Sequence, residues 1–93
     1  MDLIALADRI GDIRRRIAEA VKDASLDQYQ QNAFAFIAER LNDMENECRS
    51  GRLKPAEERY PELGRIAVET DPAILPPALG GELMDVEKKY QNV

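Results

Sequence analysis

Three acidic residues spaced four apart, Glu39, Asp43 and Glu47, form the pattern that most favours a function. In a helix this spacing places them along one face. They fall towards the C-terminal end of a predicted helix, where the helix dipole and like charges four residues apart each cost a few tenths of a kcal/mol. Because this negative charge destabilises its own helix, we expect it to be retained for a favourable interaction with another molecule. The pattern therefore predicts a surface for a basic partner, and a solvated acidic face is the alternative.

Carboxylates at this spacing could also ligate a metal ion, but the other groups that such sites use are scarce. The 93 residues include no histidine, so there is no imidazole base or imidazole ligand. The single cysteine, Cys48, can form neither an internal disulfide nor a thiolate zinc site. We therefore expect no enzyme, cofactor or metal, and keep a carboxylate metal-dependent enzyme as the third hypothesis below.

The basic run Arg14–Arg16 does not indicate nucleic-acid binding. Three successive helical residues fan over about 200°, and Asp12 and Glu19 offset their charge. The whole chain has a formal charge of −5, which argues against a protein that neutralises phosphates. Instead, we expect an ion pair between one of these arginines and Glu39, worth at most about 1 kcal/mol if exposed.

Two long helices are predicted to position these residues, over 1–24 and 26–50. Apolar residues recur at spacings of three and four in both, namely Leu3, Leu6, Ile10, Ile13, Ile17, Ala20 and Ala24 in the first and Phe34, Ile37, Leu41, Met44 and Cys48 in the second. Cys48 continues the second series, which predicts a buried thiol. Ser25 is predicted as the N-cap with Gln28 completing a capping box, and Gly51 as the C-terminal cap. The short connection predicts a long antiparallel hairpin.

Gly11 lies inside the first helix, where glycine costs about 1 kcal/mol relative to alanine. Close approach by another backbone and a plain surface position are both open interpretations.

The remaining residues, 51–93, are predicted to form two or three short helices in a Pro-rich tail. Pro55 begins a single turn, a short helix carries Leu63 and Ile66, and another begins at Asp71-Pro72 and stops at Pro76-Pro77. Gly80-Gly81 is interpreted as a hinge or cap, before a last helix that carries Leu83, Val86 and Tyr90. No segment alternates as a strand does. The prediction is a single all-α domain over 1–93.

Apolar side chains away from these seams are further contact candidates. Tyr29 and Phe36 form a second patch on the second helix, and Ile74, Leu75 and Leu79 lie in the Pro-rich segment. This segment either packs as a strap across the Tyr29/Phe36 patch or acts as an arm that binds a partner or exchanges between chains.

The function that we predict is a non-enzymatic protein–protein interaction protein, a small acidic helical domain that binds a more basic protein. In size, charge and helical pattern the chain resembles small bacterial immunity proteins, antitoxins and secretion chaperones, a likeness that no motif carries. Glu39, Asp43 and Glu47 would attract the partner, and Tyr29, Phe36, Ile74, Leu75 and Leu79 would supply apolar contacts.

Two further hypotheses remain, a self-associating structural subunit or adaptor of a larger assembly, and the metal-dependent enzyme. A chain of this length has modest stability as a monomer, so we expect a helical-bundle homodimer. No secretory signal or apolar run of about 20 residues is visible, so we expect a cytoplasmic protein with no membrane or nucleic-acid partner.

Overall fold

Apolar residues at helical spacing fold into three α-helices in the part of the chain that the structure describes. The computed structural model describes residues 2–22, 25–59, 63, 65–66 and 75–93. The helices are α1 (Leu3–Lys22), α2 (Gln28–Ser50) and α3 (Pro77–Gln91), with a 3-10 turn at Ala56–Glu58. No strand occurs among the described residues, so the predicted all-α class is confirmed there.

The apolar seam of α1 enters the core as its spacing predicts. Leu6, Ile10, Ile13 and Ile17 are buried, whereas Ala20 is exposed. Val21 packs partly against the core instead. The seam thus follows the predicted face from Leu6 to Ile17, over about three turns, and Ala24 lies outside the described residues.

The N-cap of α2 is Asp27, so the predicted cap at Ser25 is wrong by two residues. Asp27 Oδ1 accepts a hydrogen bond from the backbone N–H of Gln30 at 2.8 Å, and Gln30 Oε1 accepts one from the N–H of Asp27 at 3.1 Å. Two overlapping capping boxes are present in the sequence. The helix dipole favours a negatively charged carboxylate at the helix N-terminus. The uncharged hydroxyl of Ser25 does not gain this stabilisation.

The body and C-terminal end of α2 match the prediction. Its five apolar seam residues are all buried, namely Phe34, Ile37, Leu41, Met44 and Cys48. Gly51 caps the helix with a left-handed φ of +71°, and its N–H donates to the Glu47 carbonyl. This conformation is the one that glycine adopts without steric cost.

After Gly51 the chain makes its predicted turn at Pro55. Arg59 then connects this turn to the C-terminal end of the chain, just beyond α3. The Arg59 guanidinium donates to the backbone oxygen of Lys54 at 2.7 Å and to that of Val93. Of the short helix predicted next, Leu63 is buried and Ile66 is half-buried. The helix start predicted at Asp71-Pro72 lies outside the described residues.

The last helix begins earlier than predicted, at Pro77, so Gly80 and Gly81 lie inside α3 and form neither a hinge nor a cap. Proline has the backbone angle of a first helical residue, which makes Pro77 a good start. The Gly80 N–H donates to the Pro76 carbonyl at 3.0 Å. From this start, α3 buries Leu83, Val86 and Tyr90 as predicted.

Cross-helix contacts join α1 to both other helices. Asp8 pairs with Arg49 at 3.1 Å and Arg14 with Glu45 at 3.1 Å, so residue numbers that rise along α1 meet numbers that fall along α2. Arg9 pairs with Asp85 of α3 on another side of α1.

Candidate functional site

Four of the predicted contact residues lie together on the outer surface of α2. Tyr29, Phe36, Glu39 and Asp43 are spaced by seven, three and four residues, which places them along one helix face. Tyr29 is 75% exposed and Phe36 41%. The side chains of Glu39 and Asp43 are 68% and 42% exposed. We call these four residues the α2 stripe, with aromatic rings at one end and carboxylates at the other.

The α2 stripe already holds one guanidinium group, that of Arg40. The Arg40 guanidinium carbon lies 5.4 Å from the centre of the Phe36 ring. Arg40 Nη2 lies 3.2 Å from Glu39 and 3.4 Å from Asp43. An aromatic face and two carboxylates together form a favourable site for a cation.

Glu47, the third predicted acid, lies inside the protein. Its side chain is 14% exposed, and its carboxylate accepts hydrogen bonds from the Tyr90 hydroxyl at 2.8 Å and from the Lys54 N–H at 3.0 Å. Burial raises the pKa of the Tyr90 hydroxyl, and the bond to Glu47 raises it further. Glu47 therefore joins α2 to α3 and is not part of the exposed acidic surface.

The Pro-rich segment contributes its described leucines to the core. Leu75 and Leu79 are buried, so they are core residues and offer no contact surface to a partner. Ile74 lies outside the described residues. Tyr29 and Phe36 are exposed, and residues 71–74 of the predicted strap lie outside the described residues.

The expected ion pair between the arginine run and Glu39 is absent, and its arginines have other partners. Arg14 pairs with Glu45, Arg15 lies 3.8 Å from Asp12, and Arg16 contacts both Asp12 and Glu82. The expected register put this part of α1 opposite residues 34–36. The structure instead pairs Arg14 with Glu45 and Asp8 with Arg49, so the C-terminal half of α2 lies opposite the arginines.

Glu45 was not among the predicted site residues, although it pairs with two arginines, one on each of two helices. It is buried, and it accepts hydrogen bonds from Arg14 Nη2 at 3.1 Å and Arg49 Nε at 2.9 Å. Burial alone would raise the pKa of this carboxyl, but the two arginines outweigh it and lower the pKa below its ordinary value. The available sequence signal was Gly11, since a helical glycine indicates close approach.

Cys48 is buried, as its position in the apolar series predicts. Burial raises the pKa of its thiol, and the charge of Glu47 raises it further.

Within the described ranges, no group of three or more His, Cys, Asp or Glu side chains is arranged to hold a metal ion. No helix of the described residues has the length and apolar character that a membrane span needs. No protein-family model, curated protein or solved structure matches this chain.

Proposed function

We propose that this chain is a non-enzymatic protein–protein interaction protein that binds a more basic protein through the α2 stripe. The observation that carries this proposal is the alignment of two exposed aromatic rings and two exposed carboxylates on one helix face. Aromatic residues supply buried contact area at low entropic cost, and carboxylates steer a basic partner. The role would be of the immunity, antitoxin or chaperone kind, in the cytoplasm.

Arg40 supports a basic partner in particular. Its guanidinium packs over Phe36 between Glu39 and Asp43, and these groups would hold an arginine or lysine from a partner in the same way. On binding, the partner's cation would displace Arg40 or add to it. Of the other predicted residues, Glu47 is bonded to Tyr90, and Leu75 and Leu79 are buried, so these three are not part of the proposed surface.

The architecture that we propose is a long antiparallel hairpin of α1 and α2, followed by a Pro-rich tail, in a homodimer. The opposite order of residue numbers in the pairs Asp8–Arg49 and Arg14–Glu45 supports the hairpin. A second candidate function, a self-associating subunit or adaptor of a larger assembly, is favoured by an open groove between α1 and α2 that Ala18, Ala35 and Ala38 line.

The test is affinity capture with the wild-type chain and two sets of variants. We expect a protein of high isoelectric point to co-purify with the wild type, to be lost with Tyr29→Ala/Phe36→Ala and to bind more weakly with Glu39→Gln/Asp43→Asn. Raised salt should weaken the wild-type complex, because its charges are exposed.

The matched control is Glu57→Gln/Glu58→Gln, which removes the same number of exposed carboxylates elsewhere. Circular dichroism confirms that each variant is folded. Equal capture by the wild type and both α2-stripe variants would refute the proposed surface.

A further inference from the structure

An open groove lies between the C-terminal half of α1 and the N-terminal half of α2. Its volume is about 640 Å³, and the small side chains of Ala18, Ala35 and Ala38 line it. Val21 and Leu26 add half-buried apolar surface towards the α1–α2 connection. Side chains this small let another helix approach closely.

Opposite charges stand on the two walls of this groove. Arg15 is on the α1 wall and Glu39 on the α2 wall, and their side chains are 66% and 68% exposed. Among the described residues, Arg15 and Glu39 each have one ion-pair neighbour, which lies on their own helix: Asp12 at 3.8 Å and Arg40 at 3.2 Å. Such partly exposed pairs contribute little to stability. A groove with one positive and one negative wall is complementary to a copy of itself.

We propose that a second copy of this chain docks in the groove, with Arg15 of each copy paired to the partner subunit's Glu39. This inference rests on the homodimer of the proposed function and names its surface. The two-fold axis lies between the copies and parallel to their helices, so that each α1 packs over the α2 of the other copy.

The register of the helices permits this pairing. The pairs Asp8–Arg49 and Arg14–Glu45 place position 15 of α1 level with about position 43 of α2. Rotation about an axis parallel to the helices causes no shift along them. Glu39 lies four residues from that level, about 6 Å along the helix, which the combined length of an arginine and a glutamate side chain spans.

The same arrangement leaves much of the α2 stripe free. Phe36 and Ala38 differ by two positions, or about 200° around the helix, so the aromatic ring points away from the groove. Two copies joined at the groove would present two outward-facing sets of Tyr29, Phe36 and Asp43, and in this dimer Asp43 would be the carboxylate of the α2 stripe left for a basic partner, because Glu39 would pair with the partner subunit's Arg15.

Mass in solution tests the proposal. Sedimentation equilibrium at micromolar concentrations should give twice the 10.5 kDa of one chain for the wild type. Arg15→Glu and Glu39→Arg should each weaken the dimer about tenfold, because each places like charges across the interface twice. The double variant Arg15→Glu/Glu39→Arg should restore it.

Arg52→Glu, at an exposed position outside the groove, is the matched control and should leave the mass unchanged. A wild type of 10.5 kDa at all concentrations would overturn both the homodimer and this surface. If the wild type is a dimer that neither single variant weakens, the groove is not the dimer interface. The affinity-capture experiment would still test the α2 stripe independently.

Discussion

Gly11 of α1 lies directly against the buried carboxylate of Glu45 on α2. A Cβ atom at position 11 would lie 3.0 Å from Glu45 Oε2 and 3.2 Å from Oε1. Arg14 and Arg49 hold this carboxylate, and Arg49 also contacts Asp8. The glycine therefore leaves room for a charged side chain between the helices. The sequence suggested close approach by another backbone, but the neighbouring group is the Glu45 side chain.

We expect Gly11→Ala to destabilise the wild type by about 1 kcal/mol, since the new methyl group displaces a carboxylate that two arginines hold. In a Glu45→Ala background the same change should stabilise by roughly 0.5–1 kcal/mol, because only the helix preference for alanine remains. Urea unfolding of the four variants measures both effects. An equal effect of Gly11→Ala in the two backgrounds would contradict the contact.

We expect Glu45→Gln to cost about 2 kcal/mol at neutral pH, since hydrogen bonds between charged groups are lost. The folded pKa of Glu45 is lowered, so its stabilisation is present above the ordinary value of 4.5 and is lost as pH falls through the folded pKa. The wild-type and variant stabilities should therefore converge in acid. Unfolding curves across this range measure the difference, and Glu57→Gln, at an exposed position outside both proposed surfaces, is the control. A difference independent of pH would argue against a paired, ionised Glu45.

Tyr90→Phe should cost about 1–2 kcal/mol at neutral pH, since it removes the hydroxyl that donates to Glu47 at 2.8 Å. The folded pKa of Tyr90 is raised, so its contribution is complete below the ordinary value of 10.0 and declines as pH rises above it. Urea midpoints of wild type and variant should approach each other in alkali. Midpoints that stay equally far apart would show that the hydroxyl is not held in its neutral form.

Cys48 should react slowly with thiol reagents in the folded protein, because it is buried and its thiol pKa is raised. Full reactivity should appear only in denaturant. The matched control is Ser50→Cys in a Cys48→Ser background, which moves the thiol two residues along to an exposed position. Equal native rates for the two thiols would show that position 48 is open to solvent.

Much of each helix could be predicted from the sequence. The spacing of Phe34, Ile37 and Leu41 predicts the buried face of α2, and the spacing of Leu83, Val86 and Tyr90 predicts that of α3. Both patterns depend on the period of a single helix, which local sequence determines. The start of α2 was harder to predict, because Ser25 and Asp27 head overlapping capping boxes.

The acidic surface shows where local pattern stops being informative. The spacing of Glu39, Asp43 and Glu47 places three carboxylates on one helix face, and this much the sequence determined by itself. Only the tertiary structure decided which of them stay exposed, because Tyr90 reaches Glu47 from α3 and Lys54 reaches it from the turn that follows α2. Helical periodicity acts within one element, whereas the exposure and ionisation of a carboxylate depend on the groups that other elements bring against it.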